Sequence, residues 1–385
     1  MEIRDLTQDD FDAALDIRMR SFGPLSDSDR EKWRAAAIGA VAAGRYIGVY
    51  DGDRLTAVAR LRAFTQWWHG RPQPMAGIGS VTVSPEERGK GVGTLLMKGV
   101  IERAAELGDA ISALYPATTP IYRSVGYEHA GAQNTITLKT EALRRIRPTG
   151  QVKLRRMGPD DAAELIEVMG RANAAARVSG PISWDEATWK LWLAEQDDFL
   201  YLADDGFAVY RWNGGSIEVD SVVAASEETT RALWSLIGTA SSLTEQITAA
   251  VAPDDPVLWL VGERSKDAVK QVRWMQRLID LPAAIERRGY PAALAAHAVV
   301  RVDDPLRPGN DGTWRLEVAG GSGGATAEGD AGSGVPRLSI NGMSALYAGV
   351  PVATLRRTGL MTGAGRHDDA LDTIFAAKAH MLDYF

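Results

Sequence analysis

From Val83 to Met97 the chain reads VSPEERGKGVGTLLM, with Arg88, Gly89, Lys90, Gly91, Val92 and Gly93 consecutive before an amphipathic run. Glycines let a backbone come close to a ligand. Successive N–H groups at a helix start point outward, and the helix dipole favours an anion there. Such a loop is suited to phosphate. A nucleotide P-loop needs Gly-x4-Gly-Lys-Ser/Thr, but Gly91 follows Lys90 and position 84 is Ser84. A dinucleotide fingerprint needs a third glycine where Thr94 and Leu95 stand. What remains is Arg-x-x-Gly-x-Gly, met by Arg88, Gly91 and Gly93. On the loop alone, a glycine-rich turn with no ligand is the competing reading.

The elements around the loop must position it. The chain has 385 residues, 45% hydrophobic and 24% charged, which fits a globular protein of two or three domains. There are no cysteines, so disulfides, thiolate metal sites and a cysteine nucleophile are excluded. A net charge of −7 argues against a nucleic-acid partner. The acidic N-terminus lacks a signal-peptide core and no long apolar segment occurs, so a cytoplasmic protein without membrane contact is expected. None of the five histidines pairs with a carboxylate at ligand spacing, and no metal is expected.

The periodicity predicts helices from about Thr7 and over Asp29 to Ala43, strands at Arg45 to Tyr50 and Arg54 to Arg62 around Asp51-Gly52, and a strand from Met75 to Val83 leading into the loop. A helix then carries Leu95, Leu96, Val100, Ile101, Ala104 and Leu107, with Gly108 closing it before a strand at Ala110 to Tyr115. The fold class is α+β, a mixed α/β arrangement. From Val152 the opening pattern recurs: LRRMGPDDAAELIEVM echoes IRDLTQDDFDAALDIRM. Strands at Phe207 to Trp212 and Ser216 to Val223 flank an Asn213-Gly214 turn, and the link to the next helix, AASEETTR, has no glycine. This reads as an internal duplication whose second copy cannot hold phosphate through its backbone. The third region predicts strands at Val299 to Val302, Thr313 to Val318 and Leu338 to Asn341, a hairpin loop over Gly320 to Gly334, and a helix or helical turn from Ala370 to Leu382. Trp67-Trp68-His69 is read as bordering a substrate cleft or an interface.

Taken together, SVTVSPEERGKGVG, IYRSVGYEHAG at 121–131, LPAAIERRGYP at 281–291 and a C-terminal Phe385 resemble the Eis (enhanced intracellular survival) acetyltransferases, members of the GNAT superfamily. The resemblance implies a GNAT domain over 1–146, a degenerate GNAT-like domain over 147–292 and a sterol-carrier-protein-like domain over 293–385. It implies acetyl-CoA as donor, held at Ser80, Val81, Val83, Arg88, Gly89, Gly91, Val92, Gly93, Thr119 and Pro120. Phe22 and Trp33 fall at the family's substrate aromatics, and Ser26 or Asp27 stands in for an acidic residue of that pocket. Implied acceptors are cationic: aminoglycoside-like small molecules or lysine side chains. The implied assembly is a homohexamer.

Direct acetyl transfer needs a deprotonated amine, a donor for the developing oxyanion and a proton for the leaving thiolate. The resemblance assigns the acid to Tyr122, protonated at neutral pH, and the base to the C-terminal carboxylate of Phe385. The Val81 N–H, beside an expected strand bulge, would polarise the carbonyl. The alternative is a non-catalytic lipid or small-molecule binder with a vestigial first domain.

Overall fold

A computed structural model describes residues 1–195, 197–262, 268–329 and 334–385. The first unit runs β1 (Glu2–Asp5), α1 (Phe11–Phe22), α2 (Asp27–Ala42), β2 (Tyr46–Asp51), β3 (Arg54–Trp68), β4 (Arg71–Val83), α3 (Val92–Glu106), β5 (Ile111–Leu114), α4 (Thr119–Ser124), β6 (Glu128–Lys139) and α5 (Thr140–Arg144). Gly52 takes φ 61° in the β2–β3 turn, where its missing Cβ removes the penalty. α3 buries Val92, Leu96, Met97, Val100, Ile101 and Ala104. They pack with Ile47, Val49, Ala57, Ala59 and Leu61. Gly108 closes the turn after α3 with φ 77°.

The second unit supplies β7 (Arg155–Arg156), α6 (Ala162–Ala176), β8 (Ile182–Ser183), α7 (Glu186–Trp192), β9 (Asp198–Ala203), β10 (Gly206–Asn213), β11 (Ser216–Ala224), α8 (Glu227–Gly238), β12 (Gln246–Val251), α9 (Val257–Leu260) and β13 (Lys270–Leu278). The β10–β11 register pairs Asn213 with Ser216, so the tight turn is Gly214-Gly215, both at positive φ, rather than Asn213-Gly214. Two glycines meet the demand for two left-handed residues better than Asn-Gly does. The strands of both units join one 13-stranded sheet in the order β1-β2-β3-β4-β5-β13-β6-β12-β11-β10-β9-β7, with β8 added to β3. β13 inserts antiparallel between β5 and β6, and β6 pairs with β12. The units are therefore interlaced through their last strands.

The third unit begins with α10 (Leu281–Arg287) and continues with β14 (Ala296–Asp303), β15 (Gly312–Ala319), β16 (Ser322–Glu328), β17 (Pro336–Ser339), α11 (Ile340–Tyr347), α12 (Val352–Arg357), β18 (Met361–Gly363) and α13 (Asp368–Phe375). Its strands are ordered β16-β15-β14-β17-β18. The segment read as a loop over 320–334 contains β16, fully paired with β15 after a Gly320-Gly321 turn. Its small residues hide strand periodicity but do not prevent pairing. Residues 330–333 of that segment lie outside the described residues. Asn341 belongs to α11, because Ser339 caps the helix by accepting from the Gly342 N–H at 3.2 Å. The last helix ends at Phe375, not Leu382. An extended tail follows, bridging Ala132 through His380. Trp67 and Trp68 are buried core residues, with Trp68 against Tyr347 at 4.9 Å, so neither borders a cleft.

Candidate active site

The glycine loop shows why each glycine is needed. Gly89 and Gly91 adopt φ 77° and 82°, and a Cβ at either would meet open space. They serve conformation and access. Gly93 is different: its Cβ would come 2.6 Å from Ile121 Cδ1, so this glycine lets α4 pack against α3. No side chain caps α3 and no acidic residue stands in its first turn. The N-terminal N–H groups of α3 are thus left without a capping carboxylate or hydroxyl. Among the described residues Arg88 bonds neutral acceptors alone, the Val83 carbonyl at 3.4 Å and Ser21 Oγ at 3.3 Å. Lys90, by contrast, is held by Glu87 at 3.1 Å. The corresponding end of the second unit is closed. Ser226 accepts from the Thr229 N–H at 3.3 Å, and Glu227 and Glu228 fill the first turn of α8.

From this loop an opening runs back into the sheet. β4 and β5 pair in parallel only at Met75 to Gly77, against Ile111 to Ala113, while β4 continues to Val83. Along that free stretch the β3–β4 register passes from Val58↔Thr82 to Arg60↔Gly79. Two residues, Ser80 and Val81, face Ala59 alone, and Ser80 takes φ 54°. This is the expected bulge, which takes a backbone N–H out of the ladder. Thr119 and Pro120 begin α4, and Tyr122 lies on it, 7% exposed. Burial pushes the Tyr122 phenol above its ordinary pKa. Its hydroxyl makes no hydrogen bond among the described residues, whereas Tyr127 meets Ser112 Oγ at 2.7 Å.

The chain end arrives where β4 and β5 part. The tail donates from the His380 N–H to the Ser179 carbonyl at 3.1 Å, and the Asp383 carbonyl accepts from Tyr115 Oη at 2.9 Å. Gly131 and Gly180 make room for it: a Cβ at either would collide with tail backbone at Ala379 or His380. The Phe385 ring is centred 4.7 Å from Phe64 and 5.5 Å from Tyr115, and a Cβ at Gly77 would stand 3.0 Å from it. Around it Trp184 meets Phe64 at 4.5 Å. Trp33 is half-buried against Phe11 and Tyr46. Phe22 is 58% exposed at the end of α1, and Ser26 caps α2 through the Asp29 N–H. Trp184 and Tyr115 escaped the sequence reading. Aromatics scattered over three segments carry no spacing signal.

Residues 2–130 and 180–278 each match an acetyltransferase (GNAT) domain family, and residues 281–382 a sterol carrier protein domain. A GCN5-related N-acetyltransferase from Kribbella flavida is 45% identical, covering 100% of this chain and 98% of its own at TM-score 0.96. The chain belongs to the GCN5-related N-acetyltransferase family. Within it the chain is Eis-like. An uncharacterized N-acetyltransferase of Streptomyces avermitilis is 28% identical over 90% of both chains. N-acetyltransferase Eis of Mycobacterium bovis is 26% identical over 64% of each. The protein is an acetyltransferase enzyme, and no helix among its described residues is long and apolar enough to cross a membrane.

Proposed function

We propose that this acetyltransferase moves acetyl from acetyl-CoA to an amine by direct transfer in the β4–β5 opening. Acetyl-CoA would supply the acyl group as a thioester. The uncapped start of α3, with Arg88, Gly89, Gly91, Val92 and Gly93, suits a pyrophosphate. Ser80, Val81 and Val83 on β4, and Thr119 and Pro120 on α4, flank the path of its arm. The Val81 N–H, beside the bulge, would donate to the oxygen that gains charge. Tyr122 donates its phenolic proton to the departing sulfur as the C–S bond breaks. The carboxylate of Phe385 draws the proton from the amine as the C–N bond forms, directly or through a water.

The observation that carries this reading is the ring of Phe385 at Gly77, the residue where β4 and β5 part. The contrast between the open start of α3 and the self-capped start of α8 supports the first unit as the active one and disfavours a vestigial binder. Release of free CoA from acetyl-CoA, followed with a thiol reagent across a panel of amines, tests the proposal. Amine-dependent release is expected. No release with any amine would overturn it.

A further inference from the structure

Two cations stand on the proposed acceptor side of this opening with no hydrogen bond or ion pair among the described residues. Arg60 and Arg62 are two residues apart on β3 and so share a face with Phe64, which touches Phe385. Opposite them β4 presents Gly79 and Gly77, so no side chain of that strand covers them. A Cβ at Gly79 would lie 3.4 Å from Arg62 Nε. Arg62 therefore leans over Gly79, next to the bulged Ser80 and Val81. The Arg62 guanidinium sits 5.3 Å from the Trp184 ring, and Tyr46 lies opposite Arg60 on β2.

Both Nε atoms are buried without a hydrogen-bond partner. Among the described residues, neither guanidinium makes a hydrogen bond or an ion pair. Asp185, the carboxylate that acts on Arg60, already accepts from the Thr188 N–H and Oγ1 at 2.9 Å each. The fully buried Arg277 and Arg288 also leave Nε without a partner, but unlike the half-buried Arg60 and Arg62 they donate through their terminal nitrogens. Arg277 bonds Asp304 at 2.9 and 3.1 Å, and Arg45 bonds Asp109 at 2.9 Å. Arg288 donates to the Tyr347 carbonyl at 2.6 Å inside a cage of aromatic rings. Desolvation pushes Arg60 down, and desolvation with the charge of Arg60 pushes Arg62 down to about 10. Buried charges are ordinarily paired or bound to a ligand.

We propose that Arg60 and Arg62 receive an anionic group of the acceptor, which is a small amine that also carries a carboxylate or a phosphate monoester. This rests on the acetyl-transfer reading and narrows it. It replaces the cationic acceptors that the resemblance implies, since a second ammonium of a polyamine would meet two arginines here. The planar fork of arginine matches carboxylate and phosphate alike. The rings of Phe64, Trp184 and Tyr46 exclude water and strengthen the attraction.

The test uses the full chain and CoA release, with kcat/KM compared per unprotonated amine. Phenylalanine is set against phenylalaninamide, O-phosphoethanolamine against ethanolamine, and spermidine serves as polycation. The anionic member should win at least one pair by tenfold or more, and which pair it wins separates carboxylate from phosphate. Arg60→Met and Arg62→Met should each cut that preference at least tenfold, mainly through KM, and Arg62→Lys should keep part of it. Circular dichroism melting checks the fold of each variant. If the variants do not fold, the wild-type preference alone decides. Equal turnover within both pairs, or a preference for spermidine, would overturn the proposal. Equal loss for both members of a pair in Arg62→Met would do the same, assigning the arginines to the terminal carboxylate of Phe385. No release with any amine would instead strike at acetyl transfer itself.

Discussion

At the scale of single residues, Tyr122 carries the clearest expectation. Its phenol is buried and has no protein partner among the described residues. Tyr122→Phe should lower kcat by about 10²–10⁴, the usual worth of a general acid, while the KM for acetyl-CoA stays within a few-fold. Its pH dependence follows from the sign of its shift. Deprotonation removes the acid, and burial moves that event above the ordinary value near 10. The wild-type rate should therefore show no alkaline fall from Tyr122 below pH 10, and a titration near pH 8 abolished by Tyr122→Phe would contradict this. The glycines separate two effects. Gly91→Ala meets open space but φ 82°, at about 1–2 kcal/mol of backbone cost. It should raise the KM for acetyl-CoA. Gly93→Ala meets Ile121 at 2.6 Å and should lower the melting temperature as well.

At the scale of elements, the tail after α13 is the decisive piece. It is extended and held by backbone bonds to Ser179 and by Tyr115, and its last ring fills the space over Gly77. Adding a few residues after Phe385 should reduce kcat by at least tenfold. The helices and sheets end before the tail, so circular dichroism melting should hardly change. Undiminished turnover in an extended chain would remove the carboxylate from the mechanism. The sequence made the elements themselves legible. The α3 stripe, the β2–β3 turn and the strand into the glycine loop all lie where periodicity put them. It did not reveal β16, whose Ser-Gly-Gly-Ala-Thr-Ala run has no bulky alternation. Nor did it reveal that residues 376–382 leave the helix.

At the scale of the whole molecule, β13 ties the units together. It lies between β5 and β6, and its Arg277 pairs with Asp304 of the third unit, both side chains fully buried. Arg277→Met would leave the Asp304 carboxylate buried and unpaired, a change of about 3–5 kcal/mol. The urea midpoint should fall markedly. The double variant Arg277→Met/Asp304→Asn should recover part of the loss, because it removes the uncompensated charge while the amide oxygen can still accept from the Leu306 and Arg307 N–H groups that bond Asp304 at 3.1 and 3.2 Å. If the single and double variants fell alike, the pair would not be what holds this junction.

The sequence by itself determined the glycine loop that the proposal assigns to the donor. A phosphate loop is local: Arg88, Gly91 and Gly93 lie within one turn of chain, and their conformational demands are written in residue types. The duplication was equally readable, because LRRMGPDDAAELIEVM echoes the opening of the chain, and the glycine-free AASEETTR link marked the second copy as the one without a phosphate loop. Only the tertiary structure decided which side chains come together at the proposed acceptor side. It gathers Arg60 and Arg62 from β3, Tyr46 from β2, Trp184 from the second unit and Phe385 from the far end of the third. In sequence, Arg54 to Arg62 showed only a strand, and the glycines of β4 opposite Arg60 and Arg62 and the neighbouring rings appear only in the fold. Whether an arginine is solvated or stranded depends on what packs around it, and that is a property of the fold rather than of the strand.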